Sequence, residues 1–250
     1  MTTVLIIGSG PNALEARKWD LGHFDKVVAI NNAWRVRDDW DHLIFPEDFP
    51  DDRRPKLVAS DQTLIEATSF VAHQNTFGGF VYAGGTMAFT AAYWALGALK
   101  PSVVAMIGCD MTYAKTGPTH FYGRGTADPL RDDITLRSLP AKSARLSALA
   151  AKEGCAMVNL SLAPSQLTFP RATHLTAAAR MPLQHDTTAV AAALRRERAL
   201  NYYVPSGKYW QDVSGFDPRE IDALDAMWLA SAPPAQQVLS DQPQAVRRYG

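Results

Sequence analysis

His120 lies in Thr119-His120-Phe121-Tyr122-Gly123-Arg124-Gly125-Thr126, inside a stretch rich in Gly, Pro, Thr and Asp. An imidazole with an ordinary pKa near 6.5 can take up or release a proton near neutrality. A long connection after a strand-like run, with glycines and aromatics around the ring, suits a side chain that must reach a pocket. The other histidines, His23, His42, His73, His174 and His185, lack that setting. Arg124 and Arg131 are close enough in sequence to pair with a phosphate or carboxylate, or to serve as ordinary surface charges.

A second feature is Val4-Leu5-Ile6-Ile7-Gly8-Ser9-Gly10-Pro11-Asn12, an apolar run broken by glycines and followed by helical patterning. It predicts a buried strand turning tightly into a helix. Glycines at such a bend let a phosphate or ribose approach the backbone, and a helix start offers N–H groups. Pro11 suits a first helical turn. The spacing also fits the dinucleotide pattern as Gly8-x-Gly10-x-x-Ala13, which wants a carboxylate at the end of the next strand, about 20 residues on. Here that strand ends in Asn31-Asn32. A nucleotide other than NAD is therefore expected. Gly10→Val is expected to block its approach and leave the fold intact. Gly84-Gly85 ahead of Thr86 reads as a second such turn, with Thr86 capping a small-residue helix.

Composition bounds the function without choosing it. The 250 residues are 47% hydrophobic and 20% charged, enough for one sizeable α/β core. Lys+Arg and Asp+Glu both total 25, so no global field recruits nucleic acid. Cys109 and Cys155 are too far apart for a metal or redox motif and read as buried thiols. There is no metal-ligand spacing, no signal-like segment and no membrane-length apolar run, so a soluble, cytoplasmic chain is expected.

The elements that must position these residues alternate between strand and helix. Strands are predicted at 3–7, 26–30, 42–45, 57–59, 103–107 and 156–160, and helices at 12–21, 62–73, 85–99 and 141–152. This alternation predicts a Rossmann-like, mainly parallel sheet with flanking helices. The Gly8 turn, Asn31-Asn32, Pro46-Glu47-Asp48, Gly108-Cys109-Asp110 and Ser161 all fall at strand carboxyl ends, where such sheets bind ligands. Residues 1–170 would form this domain, and 171–250 a mostly helical and loop extension on it. In that extension, Arg195-Arg196-Glu197-Arg198 reads as a solvated helix face or a contact for a polyanionic acceptor, residues 201–210 as an aromatic loop that packs on the core or forms an acceptor lid, and 217–230 as a helix.

In order along the chain, these segments resemble the bacterial CMP-sialic acid-dependent sialyltransferases of glycosyltransferase family 42. Gly8-Ser9-Gly10-Pro11-Asn12 is similar to that family's Gly-Asn-Gly-Pro-Ser nucleotide turn, and Ile30-Asn31-Asn32-Ala33-Trp34 to its Arg-Cys-Asn-Gln-Phe element. Gly84-Gly85 with the following helix, and Gly108-Cys109-Asp110, resemble its Ser-Gly turn and Gly-Ile-Asp strand end. His120-Phe121-Tyr122-Gly123 resembles its His-Tyr-Ile-Gly, and Leu162-Ala163-Pro164-Ser165-Gln166-Leu167 its Cys-Pro-Asn-Ser-Leu-Leu. The likeness covers residues 4–170.

The resemblance implies a GT-A-like variant of the fold and a metal-independent, inverting transfer from a nucleotide sugar of CMP-sialic acid type to a glycan or other hydroxyl acceptor. His120 would be the general base, and Tyr113 or Tyr122 would bond the leaving phosphate. Gly8, Ser9, Gly10, Pro11, Asn12, Asn31, Asn32, Gly84, Gly85 and Asp110 would hold the donor, with no separate cofactor. Nucleic acid is not an expected partner, while peripheral membrane contact and a homo-oligomer stay open. The chain departs from the family at Ser9, Val81, Ala83 and Gly84, where polar or larger donor contacts are missing. Two alternatives therefore stand: a non-catalytic structural or binding protein on the same fold, and a pyrophosphokinase-like transferase.

Overall fold

A computed structural model describes residues 2–113, 117–124 and 131–233. Six parallel strands form one sheet: β1 (Thr3–Ile7), β2 (Lys26–Ile30), β3 (His42–Ile44), β4 (Thr63–Ile65), β5 (Val103–Ile107) and β6 (Ala156–Asn159). Their order is β4-β3-β2-β1-β5-β6. All residues of β1 and β5 are buried, so both faces of the central strands are covered and, after Thr3, their sequences are unbroken apolar runs. Register is direct, with Thr3 opposite Val103 and Ile7 opposite Ile107.

One face carries helices α1 (Ala67–Thr76), α3 (Met87–Leu99) and α4 (Leu139–Lys152), around Val4, Ile6, Phe89, Trp94 and Met106. A short α2 (Phe80–Ala83) joins α1 to α3. Small residues let α3 lie close: a Cβ on Gly97 would stand 2.6 Å from His73 Nδ1 of α1. The opposite face is covered by 3-10 helices and loops, with Trp40, Phe45 and Phe49 over Leu5, Ile7 and Leu43. The extension adds α5 (Thr187–Leu200) and α6 (Pro218–Ala230), which bury Val190, Ile221, Leu224 and Trp228 against α4. Side-chain oxygens cap the helices: Thr86 accepts from Phe89 N–H, Ser138 from Ala141 N–H, Asp186 from Thr188 N–H and Asp217 from Arg219 N–H.

Several sequence expectations are corrected. No strand forms at 57–59, where Leu57 is 90% exposed. The fourth strand is Thr63–Ile65 on the sheet edge, where only Ile65 is buried, so no apolar run announces it. It takes the first residues of the helix expected at 62–73, which starts at Ala67 instead. The segment after the Gly8 turn is a 3-10 helix, Pro11–Lys18, and its buried residues Ala13 and Ala16 are three apart, the repeat of that helix. Glu197 is not on a solvated face. It is buried with its carboxylate on Arg145 Nε at 2.7 Å. The sequence after Pro233-Pro234 reads as a polar tail, which lies outside the described residues. Among the described residues, no helix is long and apolar enough to cross a membrane.

Candidate functional site

The chain runs from β1 toward β2 across one face and returns to β5, on the other side of β1, across the opposite face. The two connections part at the carboxyl ends of β1 and β5, which is where open parallel sheets form a ligand crevice. The glycine turns meet there. Gly8 N–H donates to Ile107 O and Gly10 N–H to Gly108 O, each at 2.8 Å. A Cβ on Gly8 would stand 2.3 Å from Gly108 O, and one on Gly108, whose φ is +69°, would stand 2.8 Å from Ala13 Cβ. These glycines let two backbones pack against each other, and the N–H groups of Gly8 and Gly10 are already engaged.

That geometry corrects the expectation for Gly10→Val. A Cβ there meets Gly108 O at 2.9 Å, against backbone that cannot swing away. We expect Gly10→Val to destabilise the fold by about 1–3 kcal/mol, the scale of overpacking. A thermal midpoint unchanged from wild type would refute this reading of the turn.

A polar cluster joins the ends of β1, β5 and β6. Asn12 Nδ2 donates to Asp110 Oδ2 and to Ser161 Oγ, and Ser161 Oγ donates to Asp110 Oδ2, all at 2.7 Å. Asn159 Oδ1 accepts from Ser161 N–H at 2.9 Å, and Gln166 N–H closes onto Asp110 O at 2.9 Å. Arg171 donates to Ser161 O and, at 2.7 Å, to Ala163 O, pinning the segment after β6. At the end of β2, Asn31 adopts φ +52° and Asn32 is 2% exposed. Met111, just past Asp110, also has φ +52°, uncommon for a non-glycine residue. Such strain collects at functional sites.

The His120 turn sits against this crevice. His120 N–H donates to Gly123 O at 2.9 Å, Gly123 N–H donates back to His120 O at 3.0 Å, and Phe121 N–H donates to Ser9 O at 3.0 Å. The last bond fastens the turn to the first glycine bend, with Phe121 packed on the loop-covered core. The Tyr122 ring stacks on His120 at 5.1 Å between centroids, and Tyr113 lies 6.1 Å away. Thr119 Oγ1 is 2.9 Å from His120 Nδ1. With Nδ1–H donating to that hydroxyl, Nε2 is the basic nitrogen. Burial lowers the His120 pKa below its usual 6.5, which keeps the ring neutral at pH 7. The three side chains expected to do chemistry thus stand together beside the Gly8–Asn12 bend.

No protein-family profile, curated protein or solved structure matches this chain.

The second glycine turn is arranged differently from the expected open cradle. Gly85 N–H donates to Thr135 Oγ1 at 3.0 Å, and a Cβ there would meet Tyr209 Oη at 2.7 Å. Asp133 organises this contact, accepting from Thr135 Oγ1 at 2.7 Å and from Tyr209 Oη at 2.9 Å. The Asp133 carboxyl is partly buried, which opposes its charge, but bonds from Thr135, Tyr209 and Arg131 hold its pKa below the usual range. Arg131 therefore serves this clasp, with Nε on Asp133 at 3.0 Å, while Arg124 is exposed. Gly84 is buried with φ +93°, and its Cβ would meet Phe89 at 2.8 Å. Both glycines are packed against protein.

Sequence reasoning missed Arg171 and Asp133, single polar residues in irregular segments that carry no periodic signal, and Asn159, the one polar residue at the end of the otherwise apolar strand β6. Two open cavities lie elsewhere. One, of about 500 Å³, is lined by Trp34, Arg35 and Trp40, and the other, of about 440 Å³, by Tyr82, Arg145 and Tyr203. Neither includes His120 or the Gly8–Asn12 bend. Among the described residues, no cluster of His, Cys, Asp and Glu could hold a metal ion.

Proposed function

We propose that this protein binds a nucleotide sugar at the carboxyl ends of β1, β2 and β5 and transfers the sugar to an acceptor hydroxyl, with His120 as general base. The observation that carries the reading is the bond from Phe121 N–H to Ser9 O. It sets the His120 turn beside the strand carboxyl ends, which supports a proton acceptor acting on a ligand bound there. In this mechanism His120 Nε2 takes the proton from the acceptor oxygen as that oxygen attacks the anomeric carbon, and the nucleotide departs with the bonding electrons. The Tyr113 and Tyr122 hydroxyls would donate to the departing phosphate, absorbing charge as it develops. Resemblance to family 42 over residues 4–170 supports CMP-sialic acid as the first donor to test, with a glycan or other hydroxyl compound as acceptor.

Release of CMP from CMP-sialic acid by the purified chain, accelerated by a panel of hydroxyl acceptors, is the expected result. A specific observation favours a second reading, a non-catalytic binding module. The N–H groups of Gly8, Gly10 and Gly85 all have partners inside the protein, leaving less of a phosphate cradle than the sequence promised. Tight nucleotide binding with no release of CMP under any acceptor would decide for that module.

A further inference from the structure

The polarity of the strand-end crevice narrows what it can hold. Among the described residues, four side-chain oxygens at the ends of β1, β2 and β5 are buried without a hydrogen-bond partner: Asn12 Oδ1, Asp110 Oδ1, Asn31 Oδ1 and Asn32 Oδ1. One buried donor, Asn159 Nδ2, also lacks a partner, one strand farther along on β6. Asn159 shares its sheet face with Met157, the face covered by α4. Buried polar atoms are almost always paired, so a group of acceptors at one strand-end crevice asks for donors from outside the chain.

Asp110 decides the polarity. It is 8% exposed, and its Oδ2 is committed to Asn12 and Ser161. An amide can present either end to a ligand, but a carboxylate only accepts. Asn12 cannot turn over either, because its Nδ2 is the donor that Asp110 and Ser161 require. The unpartnered oxygens lie just past the carboxyl ends of β2, β1 and β5, three neighbouring strands that are about 4.8 Å apart and whose ends together span about 10 Å. That is the width of a sugar ring with several hydroxyls, and too wide for one ion. Phosphate would meet the fixed acceptors of Asp110 and Asn12 here, and the Gly8 and Gly10 N–H groups are already engaged.

We infer that the crevice between β1 and β5 binds the hydroxyl-bearing sugar ring of its ligand, with Asp110 Oδ1 as the residue that selects hydrogen-bond donors over phosphate. This deepens the proposed function and rests on reading the crevice as a nucleotide site. Bound there, ribose or hexose hydroxyls donate to Asp110 and Asn12, while any phosphate extends away from the glycine bend.

The test is calorimetric titration of the full chain with the four ribonucleosides, their 2′,3′-dideoxy counterparts, sodium pyrophosphate and magnesium chloride. At least one ribonucleoside is expected to bind, and its dideoxy counterpart at least tenfold more weakly, since the missing hydroxyls leave buried acceptors unpaired. Asp110→Asn keeps an oxygen for Asn12 and Ser161 but turns the selecting position into a donor, and should weaken that ribonucleoside at least tenfold. The wild-type dideoxy comparison stands even where Asp110→Asn fails to fold. Equal binding of both nucleosides, binding of pyrophosphate alone, magnesium binding lost in Asp110→Asn, or no response to any ribonucleoside would each overturn the inference. Ribonucleoside binding without CMP-sialic acid turnover would instead count against the transferase and leave the inference standing.

Discussion

Arg145→Ala is expected to cost about 3–5 kcal/mol of folding stability, the scale of leaving one buried charge without its partner. Arg145 is 1% exposed. Its guanidinium donates to Glu197 Oε1 at 2.7 Å and Oε2 at 2.8 Å, to Tyr93 Oη at 2.7 Å and to Phe77 O at 2.5 Å. It also lies 5.6 Å from the Trp228 ring centroid. One side chain therefore joins α4 to α3, α5, α6 and the turn after α1. Burial opposes the charge, yet Glu197 and Tyr93 hold the guanidinium above its ordinary pKa, so it stays charged across the whole working range. Removing it strands the Glu197 carboxylate, which then keeps only neutral donors such as Trp228 Nε1–H at 2.9 Å. Urea unfolding of the variant reads the loss directly. A paired replacement, Arg145→Met with Glu197→Leu, should recover much of it, because apolar pairs often replace buried ion pairs at little cost. A loss below about 1 kcal/mol for Arg145→Ala would mean that neighbours or water replace the pair freely.

Glu197 also shows where reading the sequence stopped. Within Arg195-Arg196-Glu197-Arg198 it looked like one charge among several on an exposed helix face. What buries it is Arg145, distant in sequence and on another helix, and no local pattern encodes that pairing. The central strands were legible for the opposite reason. Strands β1, β2 and β5 are covered on both faces, so beyond Thr3 and Lys26 at their starts they are apolar, and their ends coincide with the apolar runs. The edge strand β4 has one buried residue and pairs only with β3, so propensity had nothing to register.

The candidate site was legible as a location and less so as a chemistry. Strand-end residues marked the crevice because parallel topology gathers carboxyl ends at one rim. The glycines were read as space for a ligand. The structure uses Gly8, Gly10 and Gly108 as space for each other, and Gly85 as space for Thr135 and Tyr209. A glycine reports that something comes close, and only the fold shows what. Asp110, Asn12 and Ser161 each stood out alone, but the bonds that leave one acceptor of Asp110 unpartnered join residues far apart in sequence.

His120→Ala is expected to lower turnover of a nucleotide-sugar donor by about 10²–10⁴-fold with little change in nucleotide affinity. A general base acts on the acceptor proton in the transition state, not on the bound nucleotide. The pH profile gives the sharper readout. Burial disfavours imidazolium, so the His120 pKa lies below 6.5. Wild-type activity should therefore be full at pH 7 and fall as the pH drops through that lowered value, as the base becomes protonated. In His120→Ala the acid limb should vanish along with most of the rate. Thr119→Val, which removes the hydroxyl beside Nδ1, should keep the limb and lower the rate modestly, since it loosens the ring without removing the base. Turnover in His120→Ala equal to wild type, or an acid limb that persists unchanged in that variant, would remove His120 from the chemistry. The bond from Phe121 N–H to Ser9 O would then serve only to hold the turn against the sheet.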